Sequence, residues 1–212
     1  MARPRKNEGV DVRLRMYNAF WKLLEDNNLL DITIGMIVEG AKCNRGSFYY
    51  HFDNIHDFID HAILRELKAD GRLPMRIFVV AAGASNTKYL FQDYKRNVRR
   101  MSLIMKQGGY EIVREKILRY MQRIWTALLC EDPEELTLEA KFVLTYVVGG
   151  LLSVMQRFGQ DVDAYSTAEG MYLSEVGTVA VHNICASQGI DFDEALERLR
   201  TPERIVEIRI DD

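Results

Sequence analysis

The chain has 212 residues, 48% hydrophobic and 28% charged, which excludes a disordered or collagen-like polypeptide and suffices for one domain with a sizeable core, or a small domain joined to a larger one. Only 4 prolines and 14 glycines are present, favouring long helices over many short strands. The formal charge of −3, taken whole, argues against a chain that coats nucleic acid or an anionic membrane.

Residues 1–10 read as a flexible basic arm carrying Arg3, Arg5 and Lys6, with no apolar run after them of the kind a signal peptide needs. From Asp11, the spacing of Met16, Ala19, Phe20, Leu23 and Leu24 predicts a first helix to about Asp26, closed by Asn27-Asn28, since asparagine tolerates a left-handed helix terminus. Thr33 is a good N-cap for a short second helix with Met36 and Ile37 facing inward and Ala41 near its end. Lys42-Cys43 is then a turn. Asn44 caps a very short helix through Arg45, Gly46, Ser47, Phe48, Tyr49 and Tyr50, and a fourth helix runs from about Asn54 to Ala69 with Ile55, Phe58, Ile59, Ala62, Ile63 and Leu67 on its buried side.

Further on, Arg76 to Ala84 is ambiguous between helix and extended chain. Thr87 to Lys106 and Gly109 to Cys130 read as helices, as do Pro133 to Phe158, Asp163 to Ser187 and one or two turns from Asp191, while the tail 204–210 partly alternates. The fold class predicted is all-α. The longest uncharged runs, Phe142–Gln156 and Val176–Ile190, hold 15 residues each, short of the ~20 a membrane span requires. Cys43, Cys130 and Cys185 are far apart and form no C-x-x-C pair. They read as buried thiols of a cytoplasmic protein.

Residues 33–52 carry the functional signal. Two short helices with a tight turn, the second opening on an N-cap, match a helix-turn-helix, whose second helix enters the major groove by its N-terminal residues. Ile37, Ala41 and Phe48 supply the packing between the two. The run Gly46-Ser47-Phe48-Tyr49-Tyr50-His51-Phe52 resembles the tetracycline-repressor (TetR) family of bacterial transcription regulators, and the likeness covers residues 11–65 closely. It implies a DNA-binding helix-turn-helix domain over 11–53, a connecting helix over 54–70 and a helical ligand-sensing and dimerisation domain over 71–212. On that resemblance Asn44, Arg45 and Ser47 reach bases, Thr33, Tyr49, Tyr50 and His51 touch the backbone, and Phe48 and Phe52 hold the core. Arg45 suits guanine, because a guanidinium binds O6 and N7 together. Three residues depart from the family pattern: Gly35 stands where some members place a base-reading side chain, Lys42 replaces a turn glycine, and Ile55 replaces a phosphate-gripping lysine. They predict weaker, more salt-sensitive binding, and leave as the alternative a partner protein that has lost specific DNA binding.

The resemblance further implies a homodimer on a palindromic double-stranded DNA operator, released by a small-molecule effector. Phe142, Val143, Tyr146, Val147 and Gly150 on one long helix, with Ala168, Met171, Tyr172, Val179 and Ala180 on the next, are the candidate dimer face; an intrachain core is the competing reading. Candidate pocket residues are Tyr89, Phe91, Tyr94, Met101, Met105, Tyr110, Tyr120, Met121, Trp125, Phe142 and Tyr146, a stripe that also reads as plain core. Charge divides unevenly along the chain: residues 1–70 hold 10 basic and 11 acidic side chains, 71–130 hold 12 and 3, and 131–212 hold 6 and 17. The cationic middle raises an anionic effector held by Arg96, Arg99, Arg100 and Arg114, against the plainer reading that these charges are solvated or paired.

An enzyme is not expected. His51, His56 and His61 lie close in sequence, and Asp57 shares a helical face with His61, but spacings of five turn successive histidines to different sides and no further metal ligand is evident. Neither a nucleophile motif nor a cofactor fingerprint occurs. No metal, cofactor or membrane is therefore expected.

Overall fold

The computed structural model describes residues 6–69, 94–130 and 136–200, and every regular element in them is helical. The segments 71–86 and 201–212, with the ambiguous stretch and the alternating tail, lie outside the described residues.

Helix α1 spans Lys6–Asp26. It begins five residues earlier than the apolar spacing indicates, so Lys6 to Val10 continue the helix rather than form a loose arm. The packed stretch around Met16 and Phe20 nucleates the helix, and each further residue toward the N-terminus then adds a hydrogen bond at low cost. Asn28 does not take a left-handed conformation. Its backbone is extended, and its side chain accepts from Leu30 N at 3.2 Å, capping a 3₁₀ turn at Leu29–Asp31. Helix α2 (Ile34–Gly40) is capped by Thr33, and α3 (Arg45–Tyr49) by Asn44. In α2 Ile37 and Val38 are buried, whereas Met36 is only half-buried. Helix α4 is Ile55–Ala69, with the Asn54 side chain accepting from the backbones of His56 and Asp57 at 2.9 and 3.0 Å.

Helix α5 (Tyr94–Ile104) runs into a π turn at Met105–Gly109 and then α6 (Tyr110–Leu129). Helix α7 is Leu138–Phe158. It starts at Leu138 rather than Pro133 because Thr137 accepts from Ala140 N at 3.2 Å and supplies the cap; residues 131–135 lie outside the described ones. Helices α8 (Val162–Ser187) and α9 (Phe192–Arg200) complete the described chain.

Burial joins these helices into one core. At the N-terminal end it is aromatic: Phe58 stands against Tyr17, Phe20, Phe48 and Phe52 with centroids 4.9–5.6 Å apart. Ile104, Met105, Ile124, Trp125, Leu144, Leu152, Val181 and Ile184 continue it among α5–α8. Where the two parts meet, Glu66 of α4 is buried, pairs with Arg100 and Arg96 of α5, and accepts on its backbone carbonyl from Asn97 Nδ2 at 3.2 Å. Among the described residues one helix, α7, is long and apolar enough to cross a membrane, with a mean hydropathy of 1.5. Much of its apolar surface is exposed.

Candidate nucleic-acid interface

The turn between α2 and α3 is built by its hydrogen bonds. Lys42 N donates to Glu39 O at 3.0 Å and Cys43 N to Val38 O at 2.9 Å, the paired closure that ends a helix on a left-handed residue. Lys42 is that residue, with φ 51°, the one non-glycine among the described residues at positive φ. Glycine is the usual occupant, so the departure noted in the sequence falls on the conformation that demands one. Cys43 is half-buried against the core, and burial raises its thiol pKa against the opposing charge of Arg15. Close packing fixes α2 on α1: a β-carbon at Gly40 would stand 3.0 Å from Ala19 Cβ.

Helix α3 has one buried anchor, Phe48, and Phe52 follows it into the core. Such anchoring turns the other side chains outward. Arg45, Tyr49 and Tyr50 are exposed, Tyr50 by 82%. Asn44 Oδ1 accepts from Ser47 N at 2.8 Å and from Ser47 Oγ at 3.2 Å, so two of the three expected base readers are engaged in capping. Arg45 is exposed and has no ion-pair partner among the described residues. Thr33 Oγ1 accepts from Met36 N at 3.3 Å. His51 lies half-buried with its ring 4.8 Å from that of Tyr50, and burial, then the charge of Arg13, hold its pKa below the ordinary imidazole value. Sequence reasoning passed over Arg13. It stands one turn before Tyr17, whose ring meets Phe52 at 5.9 Å, and that helical spacing is the signal that could have found it. No acid occurs from Lys42 to Phe52. Ile55, where a lysine was expected, is half-buried against the core.

The expected pocket residues divide. Met101, Met105, Tyr120, Met121 and Trp125 are buried core, and Tyr110 is half-buried with its hydroxyl 3.3 Å from Ser153 Oγ. Phe142 and Tyr146 are 72% and 73% exposed, so they line no interior space: successive turns of α7 place them outward while Ala140, Leu144 and Val148 face in. Tyr89, Phe91 and the side chain of Tyr94 lie outside the described residues. Of the arginines proposed for an anion, Arg96 and Arg100 pair with Glu66, and Arg114 pairs with Glu111 at 2.6 Å.

The expected dimer face is better gathered. Leu138, Phe142, Tyr146, Gly150 and Val154 follow one another down the outside of α7, with Val176 and Val179 exposed on α8. Val143 and Val147 are half-buried at its edge and Ala180 is buried. The side chains of Ala168, Met171 and Tyr172 lie outside the described residues. A separate open cleft of about 300 Å³ sits at the α8–α9 corner, lined by His182, Cys185, Ile190, Asp191, Phe192 and Asp193. Burial, with Asp191 beside it, pushes the Cys185 thiol pKa up to about 11, which keeps it protonated and unreactive. His61 Nε2 is 3.4 Å from Asp57 Oδ1, but no group of three potential metal ligands occurs among the described residues.

Comparison with family models, curated proteins and solved structures finds no match.

Proposed function

We propose that the protein is a sequence-directed DNA-binding transcription regulator of the tetracycline-repressor kind. The observation that carries this reading is the α2–turn–α3 unit, whose exposed side presents Arg45, Tyr49 and Tyr50 over a stretch without acids. Both helices are capped by their own Thr33 and Asn44, so α3 is fixed before it meets a ligand. Arg45 is the base reader, Tyr49, Tyr50, His51 and Arg13 face phosphate and sugar, and Thr33 touches the backbone beside α2. Because the cations here are few, affinity is modest at physiological salt and falls steeply as salt rises.

The partner on α7 and α8 is a second copy of the chain. An apolar stripe running the length of α7 and continued by Val176 and Val179 is costly in water, and a two-fold four-helix contact covers it with the same surface. In the cytoplasm such a dimer presents two α3 helices to successive major grooves of a palindrome. A small-molecule effector would act by favouring a dimer geometry that no longer matches the operator.

The test is selection from a random duplex library at low salt, followed by sedimentation of the complex. Enrichment of an inverted repeat bound by two chains supports the reading. A folded protein that enriches no sequence sinks it, and leaves the partner-protein alternative.

A further inference from the structure

Gly35 is the only residue of α2's first turn without a side chain, and a β-carbon placed there would stand 3.6 Å from Arg45 Nη2 and 3.6 Å from Thr33 Oγ1. The guanidinium that opens α3 therefore lies over the bare backbone of α2, beside the hydroxyl that caps it. We propose that Gly35 is a specificity-setting residue: its missing side chain forms a slot that seats the Arg45 guanidinium and fixes which base pair it reads.

The proposal rests on the DNA-binding reading above and deepens it. An exposed arginine ordinarily samples many rotamers, and ordering it costs entropy. The bare position lets the guanidinium lie close against α2 and restricts its plane without engaging its donors: among the described residues Arg45 makes no hydrogen bond, and Asn44 Oδ1 beside it already accepts twice from Ser47. All five N–H groups stay available for a base edge. At 3.6 Å, a single methyl at position 35 is an ordinary contact, so alanine fits. A longer side chain extends a further carbon–carbon bond from that point and takes the space the guanidinium occupies. The glycine noted in the sequence as the loss of a base reader is thus a gain for the neighbouring one.

The experiment uses the full chain and the operator it selects, with every single-base operator variant titrated by fluorescence anisotropy against the wild type, Gly35→Ala, Gly35→Leu, Gly35→Met, Arg45→Lys and Arg45→Ala. Leucine and methionine are stronger helix formers than glycine, so α2 is retained, which circular dichroism verifies. Gly35→Ala should keep the wild-type base profile. Both Gly35→Leu and Gly35→Met should lose about ten- to a hundredfold of discrimination at the base pair where Arg45→Ala and Arg45→Lys lose it, with an unchanged salt slope because the charge is retained. If the long side chains leave the profile intact, or weaken all operators equally, Gly35 does not set specificity and the DNA-binding reading survives. If the wild type selects no operator, both fall together.

Discussion

Replacing Lys42 by glycine should stabilise the protein, and replacing Gly189 by alanine should destabilise it. The two positions perform the same task. At the end of α8, Gly189 N donates to Ala186 O at 3.0 Å and Ile190 N to Cys185 O at 3.1 Å, with φ 70° at Gly189. That is the closure made by Lys42 and Cys43 after α2, with φ 51° at Lys42. Left-handed backbone costs a residue bearing a β-carbon about 1–2 kcal/mol, while glycine loses about 0.5–1 kcal/mol more chain entropy on folding. The difference makes Lys42→Gly more stable by about 0.5–1 kcal/mol, or roughly 1–4 °C in Tm for a chain of this size. At Gly189 no atom lies within 4 Å of where the β-carbon would stand, so Gly189→Ala isolates the same backbone difference with opposite sign, about 0.5–1 kcal/mol less stable. Urea unfolding followed by circular dichroism, with equal m values, measures both. A destabilised Lys42→Gly protein, or a neutral Gly189→Ala, refutes the account.

Asn44→Ala removes the α3 cap and should cost about 1 kcal/mol in urea unfolding, with Asn44→Ser restoring most of it. Phe142→Glu with Tyr146→Glu should shift the protein to monomer in sedimentation equilibrium and leave its helical spectrum unchanged, since both side chains are exposed; a persisting dimer excludes the α7 face. His51 has a lowered pKa in the folded state, so the unfolded chain takes up its proton first: stability is full above the ordinary imidazole range and declines as pH falls below about 6.5. His51→Gln should flatten that limb of the pH–stability curve, and an unchanged curve would show that another group is responsible. Glu66→Gln leaves the half-buried Arg100 without its counter-charge and should cost about 2 kcal/mol by thermal unfolding.

Much of the N-terminal unit was legible because local signals agree there. Thr33 and Asn44 are caps by residue type and cap in the structure, and Phe48 and Phe58, read as inward-facing, are buried. Boundaries that depend on propagation or competition were not legible: α1 extends back to Lys6, and Thr137 starts α7 rather than Pro133. Phe142 and Tyr146 were read as candidates for both the pocket and the dimer face, because hydrophobicity alone does not distinguish an inward face from an outward one. The Glu66 cluster escaped notice for a related reason. A single acid inside an apolar helix pattern reads as a solvated position, and its arginine partners lie some thirty residues away, on α5.

Among the contacts that tie the N-terminal helices to the long helices beyond them, two lead to α5 and the π turn. One is the Glu66–Arg100 pair, whose guanidinium lies 5.3 Å from the centre of the Trp21 ring in α1. The other is the π turn: a β-carbon at Gly108, where φ is 95°, would stand 3.2 Å from Asn28 Oδ1, and one at Gly109 2.9 Å from Leu29. Gln156 of α7 donates to the Met105 carbonyl of that turn at 3.2 Å. Neither contact need add much net stability, since a buried ion pair roughly offsets its own desolvation. Both are specific in direction, however: the first joins α5 to α4 and α1, and the second joins α7 through the π turn to the 3₁₀ turn before α2. If two chains meet along α7 and α8, the separation of their α3 helices is then set by packed side chains rather than by a flexible linker. Fixed separation is what a palindrome with half-sites one helical turn apart requires.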